Sequence, residues 1–161
     1  MIWRGACNTN RFMKFLIWYP YMLVTALLVG KIATFSFLIA PIVHKTLEKD
    51  QAVKLLRVFF PRYYKFGIGC SIVGLILVPI ILKVFPGTVV QPYWAILWLV
   101  VLLAEVFALK VLVPTVEANR EGRANGDVEA TKRWESAHRL SVQLNVLNLL
   151  LGLALLFLYL G

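Results

Sequence analysis

The chain is poor in the residues from which reaction centres are usually built. Two cysteines, Cys7 and Cys70, are its full complement. One precedes the first apolar run and the other lies inside the second, so they sit at different depths and form no disulfide framework. Only two histidines are present, His44 and His138, and acidic residues number 8 against 17 Lys and Arg. HExxH, CxxC, GxSxG, P-loop and dinucleotide fingerprints are all missing, which argues against zinc proteases, thiol oxidoreductases, serine hydrolases, P-loop NTPases and Rossmann enzymes. Repeats, low-complexity tracts and domain linkers are absent too. No nucleophile stands beside a base, and the chain therefore reads as non-enzymatic.

Apolar residues are what it has in quantity. Hydrophobic side chains make up 60% of the sequence and mean hydropathy is +0.78. They gather into four stretches at about 15–43, 64–85, 93–113 and 140–160. At 1.5 Å rise per residue, each crosses a hydrocarbon core of about 30 Å. The expected fold is an all-α integral membrane protein, a single domain of 161 residues built as an up-down bundle of four transmembrane helices. Arg4, Arg11 and Lys14 before the first run resemble the start of a signal peptide. The run is too long and lacks a small-x-small cleavage site, so a retained first helix is expected.

The net charge of +9 invites a nucleic-acid reading, but the basic residues flank apolar spans and form no groove-reading motif. Orientation and anionic lipid explain them better. Twelve Lys and Arg fall in or beside the first and third connections, four on the side of the termini (Arg4, Arg11, Lys14, Lys83), and Lys31 lies within a span. By the positive-inside rule the long connections face the cytoplasm and both termini lie outside an inner, multi-pass cell membrane. Trp18, Tyr19, Tyr21, Tyr93, Trp94 and Tyr159 are expected at the outer interface, and Tyr63, Tyr64 and Trp134 at the inner one. Pro86–Gly87 marks a turn. Residues 46–60 form an amphipathic helix, with Ala52, Val53, Leu55, Leu56, Phe59 and Phe60 on one face and Asp50, Lys54 and Arg57 on the other, ended by Pro61. That helix lies either on the leaflet or against the end of the bundle. Residues 115–138 form a short helical hairpin, with Gly122 and Gly126 at its turn and Asp127 as N-cap of the last helix.

Polar residues inside the spans are few and patterned. With His138 at 0°, Ser141, Asn145, Asn148 and Gly152 fall within an arc of about 80° on one helix. Such a stripe faces protein, because unpaired polar groups in hydrocarbon are costly. Small-residue stripes run along the second span (Gly67, Cys70, Ser71, Gly74) and the first (Gly30, Thr34, Ala40). Glu105 lies about 13 Å below the end of its helix at Pro114, and Lys31 lies deeper. A polar layer of Lys31, Glu105, Asn145 and Asn148, with Ser141 on the same stripe, is expected near mid-bundle. It is either a ligand site or a structural Lys–Glu bridge that fixes register. His44 and His138 share a side, where facing imidazoles would suit a b-type haem or a metal ion; a helix-end cap is the plainer alternative.

Three segments carry a family likeness. Gly30–Pro41 resembles the first helix of the transmembrane protein 205-like family, known in bacteria as a domain of unknown function. Phe60-Pro61-Arg62-Tyr63-Tyr64 resembles its aromatic-proline motif, and His138-x-x-Ser141-x-x-x-Asn145 its signature at the last helix. The resemblance implies a four-helix membrane protein of unestablished role. Three functions stay open: a bundle that handles a small ligand, ion or metal through its polar layer; an accessory subunit of a larger, for example respiratory, membrane complex, or a homo-oligomer, docking through its small-residue stripes and hairpin; and a haem-binding redox protein.

Overall fold

A computed structural model describes residues 4–86 and 90–160, with side chains between 16 and 157 of that range. All regular structure among the described residues is helical. Helix α1 (Arg4–Thr34) passes through a π-helical turn (Phe35–Ile39) into α2 (Ala40–Thr46). Helix α3 covers Lys49–Val84, and α4 (Tyr93–Phe107) passes through a second π turn (Ala108–Leu112) into α5 (Val113–Ala118). A short α6 (Arg120–Ala124) leads to α7 (Val128–Leu160). Four helical stretches are long and apolar enough to cross a membrane: Leu16–Thr46, Lys49–Val84, Tyr93–Ala124 and Val128–Phe157. Large apolar side chains such as Phe37, Ile96, Leu103, Leu150 and Phe157 point outward, as they would in a protein surrounded by lipid.

Neighbouring spans pack in cyclic order, first on second, second on third, third on fourth and fourth on first. The first and third spans stand on the diagonal, with no close backbone approach among the described residues. Long side chains bridge this gap. Tyr21 stacks on Trp94 at 6.0 Å and meets Trp98 edge-on, with Trp98 Nε1 donating to the Tyr21 hydroxyl at 3.4 Å. This cluster is one apolar core, joined by Leu28, Cys70, Val78, Ile81, Val101 and Leu155. A second core, nearer the hairpin, holds Ile32, Tyr63, Tyr64, Ala108, Leu112 and Ala137.

Four expectations about aromatic anchors are corrected here. Tyr21 and Trp94 are fully buried and Tyr63 and Tyr64 nearly so; they fill the bundle interior because the diagonal gap admits rings that a tighter seam would exclude. Tyr19 and Tyr93 do face outward. The Tyr159 side chain lies outside the described residues, as does Gly87 of the expected turn, of which Pro86 is seen.

The amphipathic segment is also not a separate interfacial helix. Pro61 does not end it: α3 runs unbroken through Pro61 and Pro79. Proline within a membrane helix is tolerated where neighbouring groups accommodate the lost N–H. Tertiary contact carries the helix on. Its first turns pack against α2 and α5, with Ala52 buried, Phe59 stacked on Phe35 and Phe60 meeting Phe35 edge-on.

Two prolines act differently. Each π turn ends two residues before a proline, with Ala40 N–H reaching back to Phe35 O before Pro41 and Val113 N–H to Ala108 O before Pro114. Each wide turn brings in one extra residue where the proline ring would otherwise crowd the carbonyl four residues back. The third and fourth spans are joined through α5, the short α6 and a turn before α7. Asp127 Oδ1 accepts from the N–H groups of Glu129 and Ala130, and Gly126 takes φ +83°. Gly122 is not at the turn; it lies in α6, where a Cβ would come within 2.6 Å of Ala130 Cβ.

Candidate functional site: a buried polar layer

Between the two apolar cores the diagonal is bridged a second time, now by charge. Lys31 Nζ donates to Glu105 Oε1 at 2.6 Å, with the Lys side chain 7% exposed and Glu105 fully buried. Asn148 Nδ2 donates to the same oxygen at 3.1 Å. Lys31 also sits 4.2 Å above the Tyr63 ring and reaches the Tyr63 carbonyl at 3.4 Å. An ammonium thus held by carboxylate, carbonyl and π-face has little of its charge left unanswered.

The backbone makes room for this. Gly67 on α3 faces the pair so closely that an added Cβ would overlap Lys31 Nζ and Glu105 Oε2. Two turns on, Gly74 does the same for the Trp98 ring. Ser71 returns its hydroxyl to Gly67 O at 2.9 Å, so the small stripe of the second span is a seam that admits side chains from both diagonal helices. The stripe proposed on the first span is not a seam of this kind: a Cβ at Gly30 would meet nothing within 4 Å and Thr34 is exposed. Its neighbour Val29 instead packs on Gly152 of α7.

Two acceptors of the layer are left over. Glu105 Oε2 and Asn148 Oδ1 are both buried without a hydrogen-bond partner. Each is an orphan of the kind that costs roughly 1–3 kcal/mol when truly unmet.

Of the expected layer, Lys31, Glu105 and Asn148 come together directly. Asn145 joins through Tyr63, whose hydroxyl donates to Asn145 Oδ1 at 3.1 Å. Ser141 stands apart, donating to the carbonyl of His138 at 2.7 Å and lining a cavity near the hairpin. Tyr63 and Gly67 were missed as members of the layer. An aromatic at a span edge reads as an interface anchor, and a glycine reads as general close packing; only the diagonal geometry gives them their roles.

The histidines do not frame one slot. His138 lies flat against Trp134, ring centres 4.9 Å apart, and borders the cavity; His44 is exposed and not part of its lining. No group of three or more His, Cys, Asp or Glu side chains is gathered among the described residues. The haem and metal readings gain no support from this arrangement.

The model of a domain of unknown function, DUF4149, matches residues 23–125. The chain belongs to the DUF4149 family. The match carries that broader name and nothing specific to the transmembrane protein 205-like family. It covers Lys31, Tyr63, Gly67 and Glu105, and stops before the His138–Asn148 stripe. No curated protein and no solved structure matches the chain.

Proposed function

We propose that this DUF4149 protein is a non-enzymatic membrane protein whose polar layer holds a small ligand rich in hydrogen-bond donors. One observation carries the reading: two buried acceptors, Glu105 Oε2 and Asn148 Oδ1, stand unmet beside an ion pair that is otherwise complete. A bridge serving only to fix register would gain nothing from leaving them so. The layer is already neutral, Lys31 against Glu105. A neutral donor therefore enters without adding charge, and a cation enters only if Lys31 releases a proton in exchange. The π turns begin three or four residues beyond Glu105 and Lys31, and such turns are common at functional sites. The three motifs that resemble the transmembrane protein 205-like family bracket the same layer. We place the hairpin end in the cytoplasm and both termini outside, on the asymmetry of Lys and Arg.

Infrared difference spectroscopy on reconstituted protein tests this. Adding urea, ammonium or methylammonium should shift the Glu105 carboxylate bands, and Glu105→Gln should abolish the shift while the variant remains monodisperse. Wild-type spectra unmoved by all three, or a Glu105→Gln variant that fails to assemble, would return the pair to a purely structural role.

A further inference from the structure

The cavity near the hairpin is a second and separate feature. It encloses about 260 Å³ between α3, α5 and α7. Leu56, Phe60, Leu112 and Val116 give it apolar walls, and Arg57, Glu117 and Arg120 stand at its polar side. It lies where the spans leave the apolar stretches read from the sequence, so it opens at the level of lipid headgroups.

Its charge is unbalanced. Arg57 and Arg120 both engage the single carboxylate of Glu117, Arg57 Nη2 on one oxygen and Arg120 Nε 3.3 Å from the other. Two positive charges thus share one negative. The Arg120 contact has ion-pair distance without hydrogen-bond alignment, and its buried Nε–H has no acceptor. A guanidinium offers five donors in a planar fork, more than a shared carboxylate can use, and that fork suits phosphate.

We propose that this cavity binds the phosphodiester headgroup of an anionic phospholipid, held by Arg57 and Arg120 with its acyl end against Leu56, Phe60 and Val116. Charge selects the diester. A monoanion brings two arginines and Glu117 to neutrality, whereas inorganic phosphate, nearer two negative charges, overshoots beside a carboxylate. The apolar walls favour a ligand with a hydrocarbon end over a free ion. Ser141 at the rim adds a hydroxyl. This site does not depend on the polar layer.

The test is lipid retention. Full-length protein is reconstituted into vesicles of phosphatidylcholine with a minority of phosphatidylglycerol, extracted in mild detergent, and the phosphatidylglycerol carried per protein is counted by mass spectrometry. Arg120→Gln should lower retention by at least about fivefold, the factor expected for one basic residue at an anionic surface. Glu117→Gln should raise it, a gain that misfolding does not produce, and Val116→Trp should lower it by filling the apolar wall. Arg133→Gln, outside the cavity, should match wild type. The proposal is overturned if Arg120→Gln and Val116→Trp retain lipid normally, if Glu117→Gln loses it, if Arg133→Gln loses as much as Arg120→Gln, or if inorganic phosphate displaces the lipid.

Discussion

Gly67 decides whether the buried pair can exist. Its missing Cβ leaves the space that Lys31 Nζ and the Glu105 carboxylate fill, so Gly67→Ala forces the pair apart in a packed interior. A loss of about 1–3 kcal/mol is expected, read as a lower thermal midpoint in detergent. Gly69 supplies the control: it lies two residues away on the same helix, and a Cβ there meets nothing within 4 Å. Gly69→Ala should be neutral or stabilise by about 0.5–1 kcal/mol. Equal losses at both positions would mean that helix propensity, and not the pair, sets the effect. Lys31→Met leaves Glu105 buried beside its orphan oxygen with no counter-charge, and should cost about 3–5 kcal/mol. Adding Glu105→Gln should recover most of that loss, because the uncompensated charge disappears with it. A double variant no more stable than Lys31→Met would show that packing, and not charge, is what Lys31 contributes.

At the scale of elements, the hairpin cap offers a clean measurement. Asp127 Oδ1 takes two N–H groups at the start of α7, at 2.9 and 3.3 Å, where four such donors lack helical partners. Asp127→Ala should destabilise by about 1 kcal/mol, with faster amide exchange confined to the first turn of α7. Uniform acceleration along α7 would contradict a local cap. This cap was legible in the sequence, because an N-cap is a local signal: a short acceptor side chain, a glycine before it, an apolar periodic run after it. The four spans were legible for the same kind of reason, since length and hydropathy need no knowledge of partners. The continuity of α3 through Pro61 was not. A proline weakens a helix locally by a fixed amount, and whether the helix continues depends on what its flanks pack against, here Phe35 on one side and α5 on the other. The site divides along the same line. Lys31, Glu105 and Asn148 were legible because charge and amide in an apolar run must find partners. Tyr63 and Gly67 were not, because their part follows from which two helices stand on the diagonal.

At the scale of the whole molecule, polarity is segregated along the bundle axis and around it. Around the axis, aliphatic and aromatic side chains face outward while Glu105, Asn148, Ser71 and Thr25 are buried. Along the axis, one end carries Arg57 of α3 and the helical hairpin with Arg120, Arg123, Lys132 and Arg133, while the other carries Lys83 in the last turn of α3 together with Arg4, Arg11 and Lys14 of the sequence. Moving that cluster across a membrane would carry many strongly hydrated charges through hydrocarbon, each at about 2.5–3.5 kcal/mol by insertion scales, whereas leaving it on the side of synthesis costs nothing of the kind. The hairpin should therefore be cytoplasmic. Asn125→Cys, exposed at the turn between α6 and α7, in a chain with Cys7→Ser and Cys70→Ser, puts one thiol at the tip. A membrane-impermeant maleimide should leave it unlabelled in intact cells and label it once the cells are permeabilised. Labelling in intact cells would invert the topology and move the Arg57–Arg120 cavity to the outer leaflet, so the same thiol fixes which leaflet's lipids that cavity meets.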